Sequence, residues 1–252
     1  MIRDSDARKA IVEIGRRLYQ KNLIAAGDGN ISVKVAPDRI LVTASGTHKG
    51  FLAPEDLVTV DLAGRAIAPR GPRPSSELLM HTLCYAERAE CGAVVHAHPP
   101  MAVALALAGV PLTDCVLSEA CLALGEVPTA PYTTPTTDEV PRVLRDYVRR
   151  ANAIVMARHG ALTLGRSLDE AWRRMETLEH TARTIIAARA LGPVTALPPG
   201  DARKLDAVAN SFGIERPQPE GSNDTEPDDD AAAVERIVTE VMRRLRPPRP
   251  AR

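Results

Sequence analysis

Two histidines stand two residues apart in the sequence, directly after the apolar run 93–95. Alternate side chains of a strand point to the same face, so His96 and His98 are expected to emerge together at the end of a buried strand. The pair alone is a modest indication of a metal site, because histidines also pack into ordinary interiors. A third histidine, His159, precedes a glycine between two strand-like runs. Three neutral imidazoles with an open position are typical of a catalytic zinc site, whereas the alternative is that His159 only fills a turn.

A carboxylate, Glu77, follows Ser75 and Ser76 at the predicted start of a helix. Hydroxyls and free amides at a helix N-terminus attract a phosphate through hydrogen bonds and the helix dipole. Glu77 would lie beside this anion site as a proton acceptor, although a first-turn glutamate more often only complements the dipole. Two further polar loops, residues 27–30 and 43–46, offer amides to an anion. Neither loop has the pattern of a nucleotide-binding motif.

Three residues close to these motifs are interpreted as having no direct role. His81 lies one helical turn beyond Glu77 and is placed to orient it, but a helical histidine facing a core is more often structural. His48 and Lys49 follow the 43–46 loop, and solvation is the favoured interpretation for both. The predicted catalytic set therefore omits all three.

Composition and charge exclude several classes of protein. The 252 residues carry 32 basic and 32 acidic side chains, so no net charge attracts nucleic acid or an anionic membrane. Aromatic residues make up 3%, too few for base-stacking surfaces. The four cysteines form no CxxC pair and the N-terminus has no apolar signal region, which favours a reducing cytoplasm. The longest apolar stretch, residues 101–110, is about half of a membrane-spanning length, so no membrane span is predicted.

The first part of the chain is predicted to form a helix followed by antiparallel strands. Apolar residues at helical spacing predict an opening helix over residues 5–21. Two β-branched runs, 31–35 and 39–43, predict a hairpin. A second hairpin is predicted over residues 57–68, with Gly64 supplying the positive φ of its turn.

Helices and strands alternate in the rest of the chain. Ser75 or Ser76 is expected to cap a helix. A buried strand over 93–96 follows this helix, and a further helix covers 100–108. Further strands are predicted near Val116 and over 127–130, 153–156 and 161–164, with helices from Thr137, from Ser167 and over 201–210.

The composition changes after residue 212, where the predicted catalytic domain (1–212) ends. Residues 213–230 are too polar to bury a core and are predicted to be a flexible acidic linker. Residues 231–252 begin with an amphipathic helical pattern, and so short a helix needs a partner surface. This layout resembles the encapsulation peptides that direct enzymes into bacterial microcompartments by binding shell proteins. The alternatives are a disordered end and a helix that packs on a neighbouring subunit.

Five motifs follow one another along the chain: GDGNIS, LVTASG, PSSE, AVVHAH and RHGAL. Over residues 7–191 they resemble the class II aldolase/adducin family, especially its enzymes acting on L-fuculose 1-phosphate and related 1-phosphoketoses. The resemblance implies an α/β fold, a three-layer α/β/α sandwich with a mostly antiparallel central sheet. It also implies a homotetramer with fourfold symmetry.

The resemblance assigns roles to individual residues. A divalent metal, usually zinc and alternatively manganese or cobalt, would be held by His96, His98 and His159. The substrate phosphate would be bound by Asn30, Ser45, Gly46, Ser75 and Ser76. Glu77 matches the acid/base carboxylate of the family, and the metal would stabilise negative charge that develops on the substrate.

The implied activity is reversible cleavage of a 1-phosphoketose to dihydroxyacetone phosphate and a small aldehyde such as lactaldehyde. Alternatives on the same scaffold are a pentulose-phosphate 4-epimerase, a sugar-acid phosphate decarboxylase and a non-catalytic adducin-like assembly module. The sequence departs from the aldolase pattern, because the family's tyrosines are missing from the region matching residues 112–118 and from the C-terminal tail. Glu119 and Asp114 are the candidate substitutes for the second proton donor.

Overall fold

The computed structural model describes residues 2–68, 70–211 and 214. Apart from Ile214, the predicted linker (213–230) and tail helix (231–252) lie outside the described residues and stay predictions. In the part of the chain that is described, no helix is both long and apolar enough to cross a membrane.

One sheet of seven strands runs through the described residues. The strands are β1 (Asn30–Ala36), β2 (Arg39–Thr43), β3 (Leu57–Asp61), β4 (Ala93–Ala97), β5 (Thr129–Ala130), β6 (Ala153–Met156) and β7 (Ala161–Gly165). Their order across the sheet is β3-β2-β1-β4-β7-β6-β5. Neighbouring strands are antiparallel except β5 and β6, so the expectation of a mostly antiparallel sheet is confirmed.

Helices cover both faces of this sheet. Within the described chain they are α1 (Asp4–Gln20), α2 (Leu78–Glu87), α3 (Pro100–Leu107), α4 (Ser118–Leu124), α5 (Glu139–Arg150), α6 (Leu168–Leu191) and α7 (Pro199–Ser211). Helices α1, α3, α4 and α6 contribute to one apolar core, whereas α2 and α5 contribute to a second core on the opposite face. The predicted three-layer α/β/α sandwich is therefore confirmed.

Strand β4 shows how alternation divides the two cores. Its residues Ala93 and Val95 belong to the core of α1 and α6, whereas Val94 belongs to the core of α2 and α5. His96 falls on the same side as Val94 because side chains alternate along a strand. The histidine is fully buried and is thereby directed toward the layer that contains α2.

Several local predictions agree with the structure. The β1–β2 hairpin forms as expected, and Gly64 adopts a φ of +83° in the turn after β3. The return arm of that second hairpin is short, because it pairs with β3 through an isolated bridge between Val60 and Ala66. Ser167 caps α6, since its side chain accepts a hydrogen bond from the Glu170 N–H at 3.2 Å.

The segment before α4 differs from the prediction. Among the described residues no strand forms near Val116, and the chain instead enters α4, a helix that the apolar pattern does not predict. Cys115 and Cys121 form a disulfide with their Cα atoms 5.6 Å apart. The expectation of reduced cysteines is therefore not met at this pair. The two cysteines are six positions apart, and the first turn of α4 brings them together. This spacing is longer than that of a CxxC pair.

Candidate active site

Three histidines meet at one end of the sheet. His96 lies near the end of β4, His98 follows that strand, and His159 lies in the turn between β6 and β7. One possible ligand atom from each ring lies within 4.8 Å of the other two. The ring centroids are 4.9 to 5.2 Å apart. The structure thus brings together the three histidines that the sequence predicts as metal ligands.

The turn between β6 and β7 allows this close approach. Arg158 has a φ of +60°, an uncommon conformation for a residue with a side chain and one found more often at functional sites. At Gly160, a Cβ atom would lie 2.5 Å from the Ala97 carbonyl oxygen and 2.6 Å from the His98 ring. Glycine at this position is therefore required for the His98 and His159 side chains to converge.

The donor set fits a divalent metal. The His96 Nδ1 atom donates to the Ala161 carbonyl at 2.9 Å, which leaves Nε2 free to face the other rings. The His98 Nε2 atom lies 3.2 Å from that Nε2, and the His98 Nδ1 atom lies 3.3 Å from an Asp28 carboxylate oxygen. A carboxylate behind a ligating imidazole fixes the ring and strengthens the ligand. Asp28, which sequence reasoning left out, is thus part of the site.

Burial favours the neutral form of two of these rings, His96 and His98. It lowers the pKa of His96 to about 3, although the Glu77 charge acts in the opposite direction. Burial also lowers the pKa of His98, against the opposing charge of Asp28. Metal binding requires unprotonated imidazoles, so His96 and His98 are suited to bind a divalent cation at neutral pH.

Glu77 lies directly against the histidines. Its two carboxylate oxygens are 3.1 Å from His159 Nε2 and 3.4 Å from His96 Nε2. The Asn30 side chain donates to one of them at 2.8 Å. Burial favours a higher pKa for Glu77, but the contacts with His159, His96 and Asn30 together lower its pKa below the usual range. The carboxylate is therefore ionised at neutral pH and is able to accept a proton from a molecule bound beside the rings.

Four of the five residues expected to bind phosphate lie on two loops that are joined by hydrogen bonds. The Ser45 N–H donates to the Arg73 carbonyl at 2.9 Å, and a bridge joins Ala44 to Pro74. This pairing places four small or hydroxyl-bearing residues on neighbouring loops: Ser45, Gly46, Ser75 and Ser76. The structure therefore places these residues on two adjoining loops, the second of which leads into Glu77.

Helix α2 begins later than the sequence predicts. Its first residue is Leu78, and Glu77 occupies the cap position without a side-chain capping bond among the described residues. Ser75 accepts the Glu77 N–H through its hydroxyl at 3.2 Å and the Leu78 N–H through its carbonyl at 3.2 Å. Capping of the helix by Ser75 or Ser76, as predicted, is therefore wrong. The tight turn also uses two of the amides that were expected to be free for an anion.

Asn30 faces the carboxylate. The residue is 2% exposed, and its amide nitrogen donates to Glu77. Its amide oxygen contacts the Nε2 atom of His81, a fully buried histidine. Both ends of the amide are therefore occupied by protein groups, and His81 belongs to the surroundings of Glu77.

Lys49 is buried, so the interpretation that it is solvated is wrong. The residue is 3% exposed, and its Nζ atom donates to the carbonyls of Gly27 and Thr47 at 2.7 and 2.8 Å. It thereby fastens together the two polar loops found in the sequence. Burial lowers the pKa of Lys49, whereas the charges of Asp28 and Glu77 act to raise it. A positive charge is thus held close to the carboxylates of the site.

The candidate substitutes for the missing tyrosine lie in a different part of the fold. Glu119 is in the first turn of α4 and lines a cavity with Lys21, Glu176 and Arg183. Helices α1, α4 and α6 pack on the sheet face opposite α2, so Glu119 does not share a layer with Glu77. A role of Glu119 or Asp114 as second proton donor stays a prediction.

Known proteins resemble this chain over most of its length. Methylthioribulose-1-phosphate dehydratase of Methylococcus capsulatus is 34% identical over 181 residues, 68% of this chain and 88% of that protein. The 3-oxo-tetronate 4-phosphate decarboxylase of Escherichia coli K12 is 30% identical over 190 residues, 72% of this chain and 87% of that protein. The L-fuculose-1-phosphate aldolase structure from Thermus thermophilus has 32% identity and a TM-score of 0.65, covering 76% of this chain and 100% of that one.

These comparisons identify the family of this chain, but they do not single out one of the reactions that its members catalyse. The two enzymes named by sequence similarity are a dehydratase and a decarboxylase, so the expected special likeness to fuculose-phosphate enzymes is not supported by them. The Class II Aldolase and Adducin N-terminal domain matches residues 9–186. Because this match covers more than half of the chain, the protein belongs to the class II aldolase and adducin family.

Proposed function

We propose that this protein is a zinc-dependent lyase acting on a small 1-phosphoketose, with Glu77 transferring a proton at carbon 3 of the substrate. The observation that carries the proposal is the contact of one buried carboxylate with two imidazoles of the histidine cluster. A divalent cation held by His96, His98 and His159 would act as a Lewis acid that polarises the substrate carbonyl. Zinc is the proposed cation because three imidazoles suit it, with manganese or cobalt as alternatives.

The first candidate reaction is reversible aldol cleavage. In the direction of condensation, the ionised Glu77 removes a proton from C3 of dihydroxyacetone phosphate. The electron pair left at C3 forms the new bond to the aldehyde carbon, and the aldehyde oxygen gains a proton from a second donor. Cleavage reverses these steps and releases a small aldehyde such as lactaldehyde. The ionised form of Glu77 is the form that this first step needs.

The substrate phosphate is proposed to bind at the paired loops beside Glu77. This set consists of Ser45, Gly46, Ser75 and Ser76. Asn30 was expected to join them, but its side chain contacts Glu77 and His81 in the structure. The buried ammonium of Lys49 supplies positive charge to the same region, which favours a doubly charged phosphate.

A second candidate reaction is dehydration of a 1-phosphoketose. It is supported by the 34% identity to methylthioribulose-1-phosphate dehydratase and by the absence of the aldolase tyrosine from residues 112–118. In this reaction Glu77 removes the C3 proton, and the C4 hydroxyl gains a proton and leaves as water. The two candidates thus require the same residue at the same carbon and differ in the bond at C4 that breaks.

A product assay on the metal-loaded protein separates the candidates. The substrates are fuculose 1-phosphate, rhamnulose 1-phosphate, methylthioribulose 1-phosphate, 3-oxo-tetronate 4-phosphate and ribulose 5-phosphate. We expect release of dihydroxyacetone phosphate, followed with a coupled dehydrogenase. Loss of water without triose phosphate would replace the aldolase by a dehydratase, whereas release of carbon dioxide or epimerisation would indicate those other reactions. No turnover of any of these compounds would contradict a lyase function.

We further propose that the chain is a homotetramer whose C-terminal residues 231–252 bind a microcompartment shell protein. The support is the family resemblance and the change in composition after residue 212. Light scattering, which measures the molar mass in solution, tests the tetramer.

A fluorescent protein fused to residues 213–252 and expressed with shell proteins tests the role of the tail. Diffuse fluorescence would contradict the proposal that these residues bind a shell protein.

A further inference from the structure

A row of polar side chains runs behind Glu77, between β1 and α2. Glu77, His81 and Tyr85 are four residues apart at the start of α2 and along one side of it, whereas Asn30 and Ser32 are two apart on one side of β1. Four helical residues rise about 6 Å and two strand residues rise about 6.6 Å. The two rows therefore have nearly equal spacing, and their side chains are able to interleave.

Each member of this row touches the next. The Tyr85 hydroxyl lies 2.8 Å from Ser32 Oγ, which lies 2.7 Å from His81 Nδ1. The His81 Nε2 atom contacts the Asn30 oxygen, and the Asn30 nitrogen donates to Glu77 at 2.8 Å. Ser32 and His81 have no exposed surface, and Tyr85 is 5% exposed. A buried hydrogen-bonded chain thus connects the protein interior to the carboxylate.

The hydrogens of this chain have one consistent arrangement. The Asn30 nitrogen donates to Glu77, so the Asn30 oxygen must accept from His81 Nε2–H. Burial lowers the pKa of His81 to about 4, so the ring is neutral and its Nδ1 atom accepts from the Ser32 hydroxyl. Ser32 has then given its one hydrogen and accepts from Tyr85. In every hydrogen bond of the chain, the donor is therefore the partner farther from Glu77 and the acceptor is the nearer one.

Each member removes an ambiguity in the one before it. The two ends of the Asn30 amide have nearly the same shape, and a flipped amide would set its oxygen against the Glu77 carboxylate. The His81 N–H prevents that flip, Ser32 fixes which His81 nitrogen carries the hydrogen, and Tyr85 fixes the rotation of the Ser32 hydroxyl. An apolar seam would pack the helix on the strand but would specify none of these orientations.

We propose that Asn30, His81, Ser32 and Tyr85 form a positioning chain that fixes the direction in which Glu77 presents its carboxylate for proton transfer. The inference rests on the proposed function of Glu77. It assigns no chemistry to the four residues themselves, which act through the one hydrogen bond from Asn30. Groups that orient a metal ligand through one hydrogen bond typically change activity by about 10- to 100-fold when removed, and we expect an effect of the same order for a group that orients Glu77.

Two substitutions at His81 test the chain while keeping similar volume. Glutamine carries an amide N–H for Asn30 and an amide oxygen for Ser32, whereas leucine offers neither. The assay follows exchange of the C3 protons of dihydroxyacetone phosphate with deuterium oxide, using zinc-loaded full-length protein. We expect His81→Leu to lower kcat about 10- to 100-fold with little change in KM, and His81→Gln to recover most of that loss. Zinc content should be unchanged in both variants.

Wild-type kcat in His81→Leu, or equal losses in the leucine and glutamine variants, would overturn the positioning chain. If His81→Leu does not fold, Ser32→Ala and Tyr85→Phe take its place, and wild-type kcat in both would also overturn it. The proposed function fails separately. Full activity of Glu77→Gln on the substrate that the product assay identifies would remove the role of Glu77 and this inference with it.

Discussion

The two faces of strand β1 have opposite chemistry. Ile31 and Val33 point into the apolar core that α1 and α6 share. Asn30 and Ser32 point toward α2 and make the buried hydrogen bonds that lead to Glu77. One strand thus supplies apolar burial from one face and the orientation of a carboxylate from the other. Substitutions on the two faces are therefore expected to separate stability from catalysis.

The largest effect of a substitution is expected at the histidine cluster, which lies beside the Glu77 end of the polar side chains on β1 and α2. His96→Ala and His159→Ala should each reduce bound zinc from about one ion per chain to almost none, because a catalytic zinc site has three protein ligands. Elemental analysis after dialysis measures this, and activity should disappear with the metal. His180→Ala, on the exposed side of α6, is the matched control and should keep its zinc. Unchanged zinc in both His96→Ala and His159→Ala would contradict the site.

The next effect compares adjacent residues on opposite faces of β1. Ile31→Ala should lower the free energy of unfolding by about 2–5 kcal/mol, because it leaves a cavity in a fully buried position. Its kcat in the folded protein should stay close to the wild-type value. Ser32→Ala should cost less, about 1–3 kcal/mol for the groups left without a partner, yet lower kcat. Urea unfolding and the deuterium-exchange assay measure the two quantities. Equal losses of kcat in both variants would erase the difference between the faces.

The smallest effect is a pH dependence of stability that comes from the polar face. The pKa of His81 is about 4 in the folded protein, against about 6.5 when unfolded. The unfolded chain therefore binds more protons between these values, so this contribution is fully present above pH 6.5 and is lost as the pH falls toward 4. Between pH 7 and pH 5 the expected loss is about 2 kcal/mol.

Urea unfolding of chelated protein at both pH values tests this contribution. His81→Gln is the reference, because glutamine does not titrate and the remaining histidines are shared. The wild type should lose about 2 kcal/mol more than the variant. Identical pH dependence of the two proteins would contradict the assignment of a neutral, buried His81.

Patterns that depend on local periodicity were predictable from the sequence. The strand alternation around His96 and the turn at Gly64 follow from short-range geometry, and the structure confirms both elements. The meeting of His159 with the other two rings was predictable only because the motif order resembles a known family. Nothing local to residues 157–160 indicates which strand will lie beside them.

Features that depend on contacts between distant segments were not predictable. Lys49 is next to polar residues in the sequence, yet it is buried because Gly27, 22 positions away, accepts its hydrogen bond. Asn30 follows a glycine loop that suggests anion binding, but its partners Glu77 and His81 come from α2. The four-residue spacing of Glu77, His81 and Tyr85 was visible. Its pairing with the two-residue spacing in β1 depends on the packing of the helix on the sheet.

Deuterium exchange into dihydroxyacetone phosphate is the most direct test that Glu77 moves a proton at carbon beside the metal site. It needs no aldehyde and so does not depend on the identity of the second product. Wild-type zinc-loaded protein should exchange a C3 proton, and chelated protein should not. Glu77→Gln, with normal zinc content, should exchange at least about 100-fold more slowly than the wild type, since it keeps the shape of the side chain but not its basic group. Exchange by Glu77→Gln at the wild-type rate would contradict the role of this carboxylate.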